Sequence, residues 1–243
     1  MRFLIKFSYD GTAYSGFQKQ KGLETIEQKL EEALTKVNNS KKTTITATGR
    51  TDKKVHALCQ YGHADIDVNI TEKKLKRALN SNLPDDIHVI ETKIVKDDFH
   101  ARYNVKEKTY EYIINTGEYN PLERNYVYQY NYDINVEAMK EAIKYFLGKH
   151  DFRAFVTDNK EKENYVRTIT KVDIKEKDNK IKITFTGDGF LRYQVRNMVG
   201  VLIKIGENKL SPKDVEKIIE SCDRTKSGKT APAEGLYLVN IKY

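Results

Sequence analysis

A chain of 243 residues with 39% hydrophobic residues, 16 Tyr and 9 Phe among them, has enough apolar material for one large domain or two small ones without covalent staples. Its 43 Lys and Arg against 35 Asp and Glu give a formal charge of +8, which favours a polyanionic partner, although a solvated basic surface that binds nothing has the same balance. The two cysteines, Cys59 and Cys222, have no Cys or His at ligand spacing, so reduced thiols are expected rather than a disulfide or a zinc site. The N-terminus lacks the apolar core of a signal peptide, and the longest apolar run, Val195 to Ile205, is broken by Arg196, Asn197 and Lys204. No membrane span is expected, and a cytoplasmic location follows by elimination.

In chain order, residues 2–8 alternate as a strand, and a glycine-containing loop runs from Asp10 to Gly22. Thr25 opens a helix, with Gln28 completing a capping box and Ile26, Leu30, Ala33, Leu34 and Val37 as its apolar stripe. Residues 43–48 are rich in β-branched side chains and read as a strand; after the loop Gly49 to Val55, residues 58–68 form another. Thr71 caps a second helix with Leu75, Ala78, Leu79 and Leu83 inward, and residues 87–95 make a further strand. This half runs β-α-β-β-α-β.

The second half repeats the order. Residues 108–116 are a strand, and Asn135 caps a helix with Val136, Met139, Ile143, Phe146 and Leu147 on one face and Gly148 past its end. Residues 166–175 and 180–187 read as a hairpin turning at Asp178-Asn179, residues 190–205 as a helix, Ser211-Pro212 as the start of another, and 236–242 as a closing strand. A linker near Tyr103 to Lys106 divides the chain into lobes 1–104 and 105–243. The expected fold class is α+β: two tandem ferredoxin-like lobes forming a continuous, mainly antiparallel sheet of about eight strands, with helices on one face. The run Asp158 to Asn164 is charged and free of apolar residues, and reads as a solvated, mobile loop.

The densest polar constellation, Thr48 to His56, sits between two strands and crowds Arg50, Asp52, Lys53, Lys54 and His56 into nine positions. From the residues alone it reads first as an ordinary polar loop, in which Gly and Asp are usual turn residues, and otherwise as a catalytic carboxylate beside a phosphate-guiding surface. The five histidines do not pair at helical ligand spacings, the H-x-E and C-x-x-C pattern of base deaminases is missing, and no P-loop or G-x-G-x-x-G is present. No metal and no cofactor is expected.

Six segments in order resemble the tRNA pseudouridine synthase A family. YDGTAYSGFQKQ (9–20), TGRTDKKVHALCQ (48–60), FHARYNVKEKTYEYII (99–114), HDFRAF (150–155), GFLRYQVRNMVG (189–200) and APAEGLYL (231–238) span nearly the whole chain. The resemblance implies isomerisation of uridine to pseudouridine in RNA, in the family usually within the anticodon stem-loop of tRNA, by a homodimer. It places the nucleophilic aspartate on Asp52, the active-site tyrosine on Tyr110 and the arginine that salt-bridges the aspartate on Arg196. Whether Asp52 attacks the sugar or the base, or removes a proton from C2′, stays open. An aspartate of reference pKa about 3.9 is ionised at neutral pH.

Each residue has a plainer alternative: strand core for Tyr110, an exposed helix arginine for Arg196. Arg50 is expected to order the Asp52 loop or to contact phosphate. Lys19, Lys53, Lys54, Arg102, Lys106, Lys108 and Arg192 are candidate phosphate contacts. Phe17 stands where the family usually has Trp, so packing or stacking is expected there without the indole hydrogen bond. Lys54 stands where the family usually has Gly, a position that suits a positive φ. Three rival readings remain: an inactive RNA-binding paralogue, a pseudouridine synthase acting on a different RNA, and a metal-dependent nuclease, the last without the carboxylate cluster it needs.

Overall fold

A computed structural model describes residues 1–157 and 164–243; the charged run predicted as a loop therefore lies, but for Asn164, outside the described residues. The elements in chain order are β1 (Arg2–Tyr9), α1 (Ile26–Val37), β2 (Thr46–Ala47), β3 (His56–Asp65), α2 (Glu72–Asn80), β4 (Ile87–Val95), β5 (Glu107–Asn115), β6 (Tyr128–Gln129), α3 (Val136–Ala142), β7 (Gly148–Asp151), β8 (Val166–Lys177), β9 (Lys180–Gly187), α4 (Gln194–Gly206), α5 (Asp214–Ser221) and β10 (Leu236–Lys242). The class is α+β and the strand pairing mainly antiparallel, as the sequence predicts. Among the described residues there are ten strands rather than about eight, because β6 and β7 are short pieces with no periodic signal. The chain clusters into two compact units, Met1–Lys106 with Tyr237–Tyr243, and Glu107–Leu236.

The first unit has the strand order β4-β1-β3-β10, with β2 beside β3. β1 alternates strictly, burying Phe3, Ile5, Phe7 and Tyr9, and pairs antiparallel with β3 and β4. The register against β3 shifts between Phe7 and Tyr9, an irregularity that re-aims the end of the strand. β10 joins in parallel, Tyr237 opposite His56 and Leu238 opposite Ala57, so the last strand belongs with the first unit although it is last in sequence. Thr25 caps α1 by accepting the Gln28 amide, but the Gln28 side chain donates to Glu32 rather than back to the cap. α1 buries Ile26, Leu30, Ala33 and Leu34 against this sheet core, with Val37 half-buried.

The strand expected at 43–48 is reduced to β2. Thr43 is held by its neighbours instead: its amide donates to the Thr35 hydroxyl, and its own hydroxyl accepts from Asn38 and donates to the Lys41 carbonyl. Such local bonds compete with a ladder. α2 starts after Thr71 without a side-chain cap, buries Leu75 and Leu79, and leaves Ala78 and Leu83 half-buried.

The second unit has the strand order β5-β9-β8-β7, with β6 parallel to β5. The β8–β9 hairpin turns where expected: Asp178 and Asn179 have φ of 52° and 58°, the two positive values of a type I′ turn. Asn135 caps α3, which ends at Ala142 and continues as a tighter 3-10 turn through Phe146, leaving Leu147 exposed. The helix predicted from 190 begins at Gln194, because Tyr193 has φ 62° and the Leu191 amide donates to the Gln194 side chain. α5 likewise begins at Asp214, two residues past Pro212; the Asp214 carboxylate accepts both the Ser211 amide and hydroxyl and makes the preceding residues a turn. Tyr112, Phe146, Phe152, Phe155 and Phe185 fill this unit's core. No helix among the described residues is long and apolar enough to cross a membrane.

Candidate active site

The loop from Gly49 to Val55 in the first unit is held from both sides. On the β3 side, the Thr48 amide and hydroxyl both donate to the Tyr61 carbonyl, at 2.9 and 3.1 Å, and the fully buried Gln60 amide donates to the Gly49 carbonyl at 3.1 Å. Within the loop, the Val55 amide donates to the Asp52 carbonyl, closing a turn around the candidate nucleophile. On the other side the Phe17 amide donates to the Thr51 carbonyl at 3.0 Å, and the Tyr9 and Thr51 hydroxyls pair at 2.8 Å. Burial pushes the Tyr9 phenol well above its usual range, against the lowering effect of its bonds to Thr51 and Gln60, so it stays protonated. Asp52 is thus a half-buried carboxylate on a loop whose preceding residue is fixed through both backbone and side chain.

Gly16 makes this close docking possible. Its φ is +98°, and a Cβ there would lie 3.0 Å from the Thr51 carbonyl oxygen and 3.2 Å from the Lys53 nitrogen. Its neighbour Phe17 is only 1% exposed, with its ring centroid 6.2 Å from Phe7 and 6.3 Å from Tyr9. The aromatic at the family's tryptophan position is therefore a packing residue beneath the loop.

Arg50, Lys53 and Lys54 are exposed around Asp52. Lys54 has φ 66°, so the left-handed backbone that suits the family's glycine is kept here by a lysine. Of the other cations, Lys19 is committed to Glu31 at 3.0 Å, while Arg102, Lys106 and Arg192 are exposed.

Sequence reading counted His56 in the polar constellation but gave it no role, and the structure makes it part of this frame. It is 2% exposed, its Nδ1 accepts the Gly11 amide at 3.1 Å and lies 3.1 Å from an Asp10 carboxylate oxygen, and its ring stacks on Tyr237 at 4.8 Å. That oxygen also accepts the Thr12 amide and hydroxyl, so the 10–12 turn is tied to the end of the Asp52 loop. The signal was present in the two motifs YDG and DKKVH, but nothing local says that they meet.

The other predicted residues belong to the second unit. Tyr110 lies on β5 opposite Phe185, is 8% exposed, and has its ring edge-on to Phe190 at 5.2 Å. Tyr112, on the same face, is fully buried and donates to the Pro232 carbonyl at 2.7 Å. Arg196, in the first turn of α4, is half-buried: its Nε donates to the Ala231 carbonyl at 2.8 Å, and its own carbonyl accepts the Ala231 amide at 3.1 Å. Its guanidinium carbon lies 5.2 Å from the Tyr193 ring, which also meets Arg192 at 5.1 Å. The first unit therefore gathers Phe17, Arg50 and Asp52 about one loop, while the second carries Tyr110 and Arg196 on β5 and α4.

Comparison with known proteins gives this arrangement a family. The sequence pattern described as tRNA pseudouridine synthase matches residues 5–104 and 142–243. The chain is 42% identical over 247 residues to tRNA pseudouridine synthase A of Limosilactobacillus reuteri (strain DSM 20016), covering all of this chain and 96% of that protein. It is also 42% identical over 245 residues to tRNA pseudouridine synthase A of Streptococcus pneumoniae (strain Hungary19A-6), covering all of this chain and 98% of that one. Among solved structures, a chain in the crystal structure of a Cbf5-Nop10-Gar1 complex is similar at a TM-score of 0.34 and 10% identity, over 82% of this chain and 54% of that one, too distant to carry an argument. Matched over most of its length by the pattern and over all of it by these relatives, the chain belongs to the tRNA pseudouridine synthase family.

Proposed function

We propose that this isomerase converts uridine to pseudouridine in the anticodon stem-loop of tRNA, with Asp52 as the group that attacks the nucleotide or takes its proton. The observation that carries the reading is a half-buried carboxylate on a loop braced through Thr51 and Gln60, in a chain similar over its whole given length to a tRNA pseudouridine synthase A. The base has to leave C1′, turn, and rejoin through C5. A carboxylate fixed by its neighbours loses little freedom at that moment, which is what orientation contributes to rate. The target nucleotide must first leave its stack, at a cost of a few kcal/mol, which the net positive charge and aromatic contacts offset.

In this reading Tyr110 stacks on the flipped uracil and Arg196 supplies the guanidinium that keeps the working carboxylate charged. Arg50 and Lys54 lie exposed beside Asp52 and serve phosphate. Phe17 acts through packing, since its ring is enclosed by Phe7 and Tyr9. The protein works in the cytoplasm as a homodimer.

The test is tritium release from tRNA carrying 5-tritiated uridine, with rRNA as a separate substrate. Wild type releases label from tRNA in the presence of EDTA; Asp52→Ala releases none, since loss of a covalent or basic participant leaves only positioning. Release by Asp52→Ala overturns the assignment, and tRNA binding by the wild type without any release favours the inactive paralogue.

A further inference from the structure

We propose that Arg224 is a positioning residue for Arg196, acting through the strap that runs from Gly228 to Ala231. This rests on the reading of Arg196 as an active-site residue and adds what aims it.

An arginine carries five N–H donors in one plane. In Arg224 all five are used. Nε donates to the Thr157 hydroxyl at 3.0 Å, one terminal nitrogen to the Ser227 hydroxyl and the Gly228 carbonyl at 2.9 and 2.7 Å, and the other to the Asn197 side-chain oxygen and the Thr230 hydroxyl at 3.0 and 2.9 Å. Every one of these partners is neutral. Burial lowers the arginine's affinity for its proton, yet no carboxylate is brought to it in these contacts. Among the described residues it is held by neutral oxygens, an expensive way to stabilise a fold and an efficient way to fix the places of several oxygens at once.

Two of the oxygens it fixes, on Asn197 and Thr230, belong to the sequence neighbours of Arg196 and of its partner Ala231. Asn197, the next residue on α4, is fully buried; its side-chain oxygen accepts both Arg224 and the Thr230 hydroxyl, and its nitrogen donates to the Phe155 carbonyl at 2.7 Å. Thr230 precedes Ala231, whose carbonyl holds Arg196 Nε and whose amide donates to the Arg196 carbonyl. The strap lies so close on α4 that a Cβ at Gly200 would fall 2.1 Å from the Lys229 carbonyl oxygen. At its far end Ser227 is fully buried and donates to the Ala154 carbonyl at 2.7 Å. The Ala231 carbonyl is thus one of the groups that hold the Arg196 guanidinium, and its placement follows Thr230 and the Arg224 guanidinium that grips it.

A lysine cannot substitute for this geometry, because its donors radiate from a single nitrogen. Arg224→Lys and the near-isosteric Thr230→Val, which removes only the gripped hydroxyl, are compared with Arg196→Ala and with the double variant Arg196→Ala/Arg224→Lys. Steady-state tritium release from tRNA is measured at a temperature below the melting point of every variant. Arg224→Lys and Thr230→Val are expected to lower kcat about tenfold with KM for tRNA nearly unchanged, as for a misaimed group. The double variant is expected to be no slower than Arg196→Ala, because Arg224 has nothing left to aim. Should Arg224→Lys fail to fold, Thr230→Val carries the same expectation alone and in the Arg196→Ala background. Full kcat in Thr230→Val or Arg224→Lys, or the same fold-loss in the Arg196→Ala background as in wild type, overturns the proposal. Full kcat in Arg196→Ala overturns it together with the reading of Arg196 itself, and so separates the two failures.

Discussion

Replacing Gly16 with alanine puts a methyl group 3.0 Å from the Thr51 carbonyl oxygen, 3.2 Å from the Lys53 nitrogen and 3.3 Å from the Asp52 carbonyl carbon, all backbone atoms of the loop that carries Asp52. Two costs arise. A side chain at a φ of +98° costs about 1–2 kcal/mol. Crowding backbone atoms that cannot rotate away costs roughly 1–3 kcal/mol more, unless the loop moves outward by a few tenths of an ångström. A domain with about 5–15 kcal/mol of stability survives this, so the variant is expected to fold with a lowered melting temperature. Its chemistry is expected to suffer more than its folding. Misplacement of a reacting group by about 1 Å can cost on the order of 100-fold in rate, so a shift of a few tenths of that predicts a fall in kcat of roughly fourfold. Gly22→Ala is the control: its φ of +75° gives a similar backbone cost, but nothing lies within 4 Å of the new methyl. Thermal melting and single-turnover tritium release are measured on both. If Gly16→Ala is destabilised as expected but reacts as fast as Gly22→Ala, the idea that this contact sets the Asp52 loop is refuted.

Three further outcomes are expected. Lys54 sits at φ 66°, so Lys54→Gly is expected to stabilise the protein by roughly 0.5–1 kcal/mol, the relief of the left-handed penalty less the extra chain entropy of glycine; denaturant titration measures this, and a destabilised variant would show that the lysine side chain makes a compensating contact. The same variant, assayed on tRNA and rRNA transcripts, tests whether this departure tunes substrate choice; unchanged selectivity discards that role. His63 is 7% exposed, its Nδ1 accepts the Ala101 amide at 3.1 Å, and burial, reinforced by Arg2 and His100 and opposed by Asp65, lowers its pKa below 6.5. The unfolded chain then binds more protons in that range, so the contribution to stability is complete above the unfolded value and is lost as pH falls through the folded one. His63→Asn, which keeps an acceptor near the Nδ1 position without titrating, is expected to flatten the stability curve below pH 6.5; a wild-type curve equally flat would rule this out.

What could be read from the sequence was local. Thr25 and Asn135 cap helices because their side-chain oxygens reach amides three residues on. Asp178-Asn179 turns the β8–β9 hairpin because both residues tolerate positive φ, and β4 and β10 run over the same residues as their alternating patterns. The loop bearing Asp52 was legible because its polar residues interrupt two apolar segments and repeat a family's motif. Where local chemistry competes with periodicity, the pattern misleads: 43–48 has strand composition but is captured by threonine and asparagine side chains, and the turn around Tyr193 delays a helix whose apolar spacing starts earlier.

Only the tertiary structure decided which distant pieces share a duty. The last strand joins the first unit because its backbone finds β3, whose residues lie near the other end of the chain. Tyr9 meets Thr51 across 42 residues, and Arg224 grips Thr157 across 67. Phe17 is a packing residue rather than an exposed ring because Phe7 and Tyr9 close over it. Periodicity reports how a residue faces relative to its near neighbours; a hydrogen bond between segments far apart in sequence imposes no period on either, so it appears only when the chain has been folded.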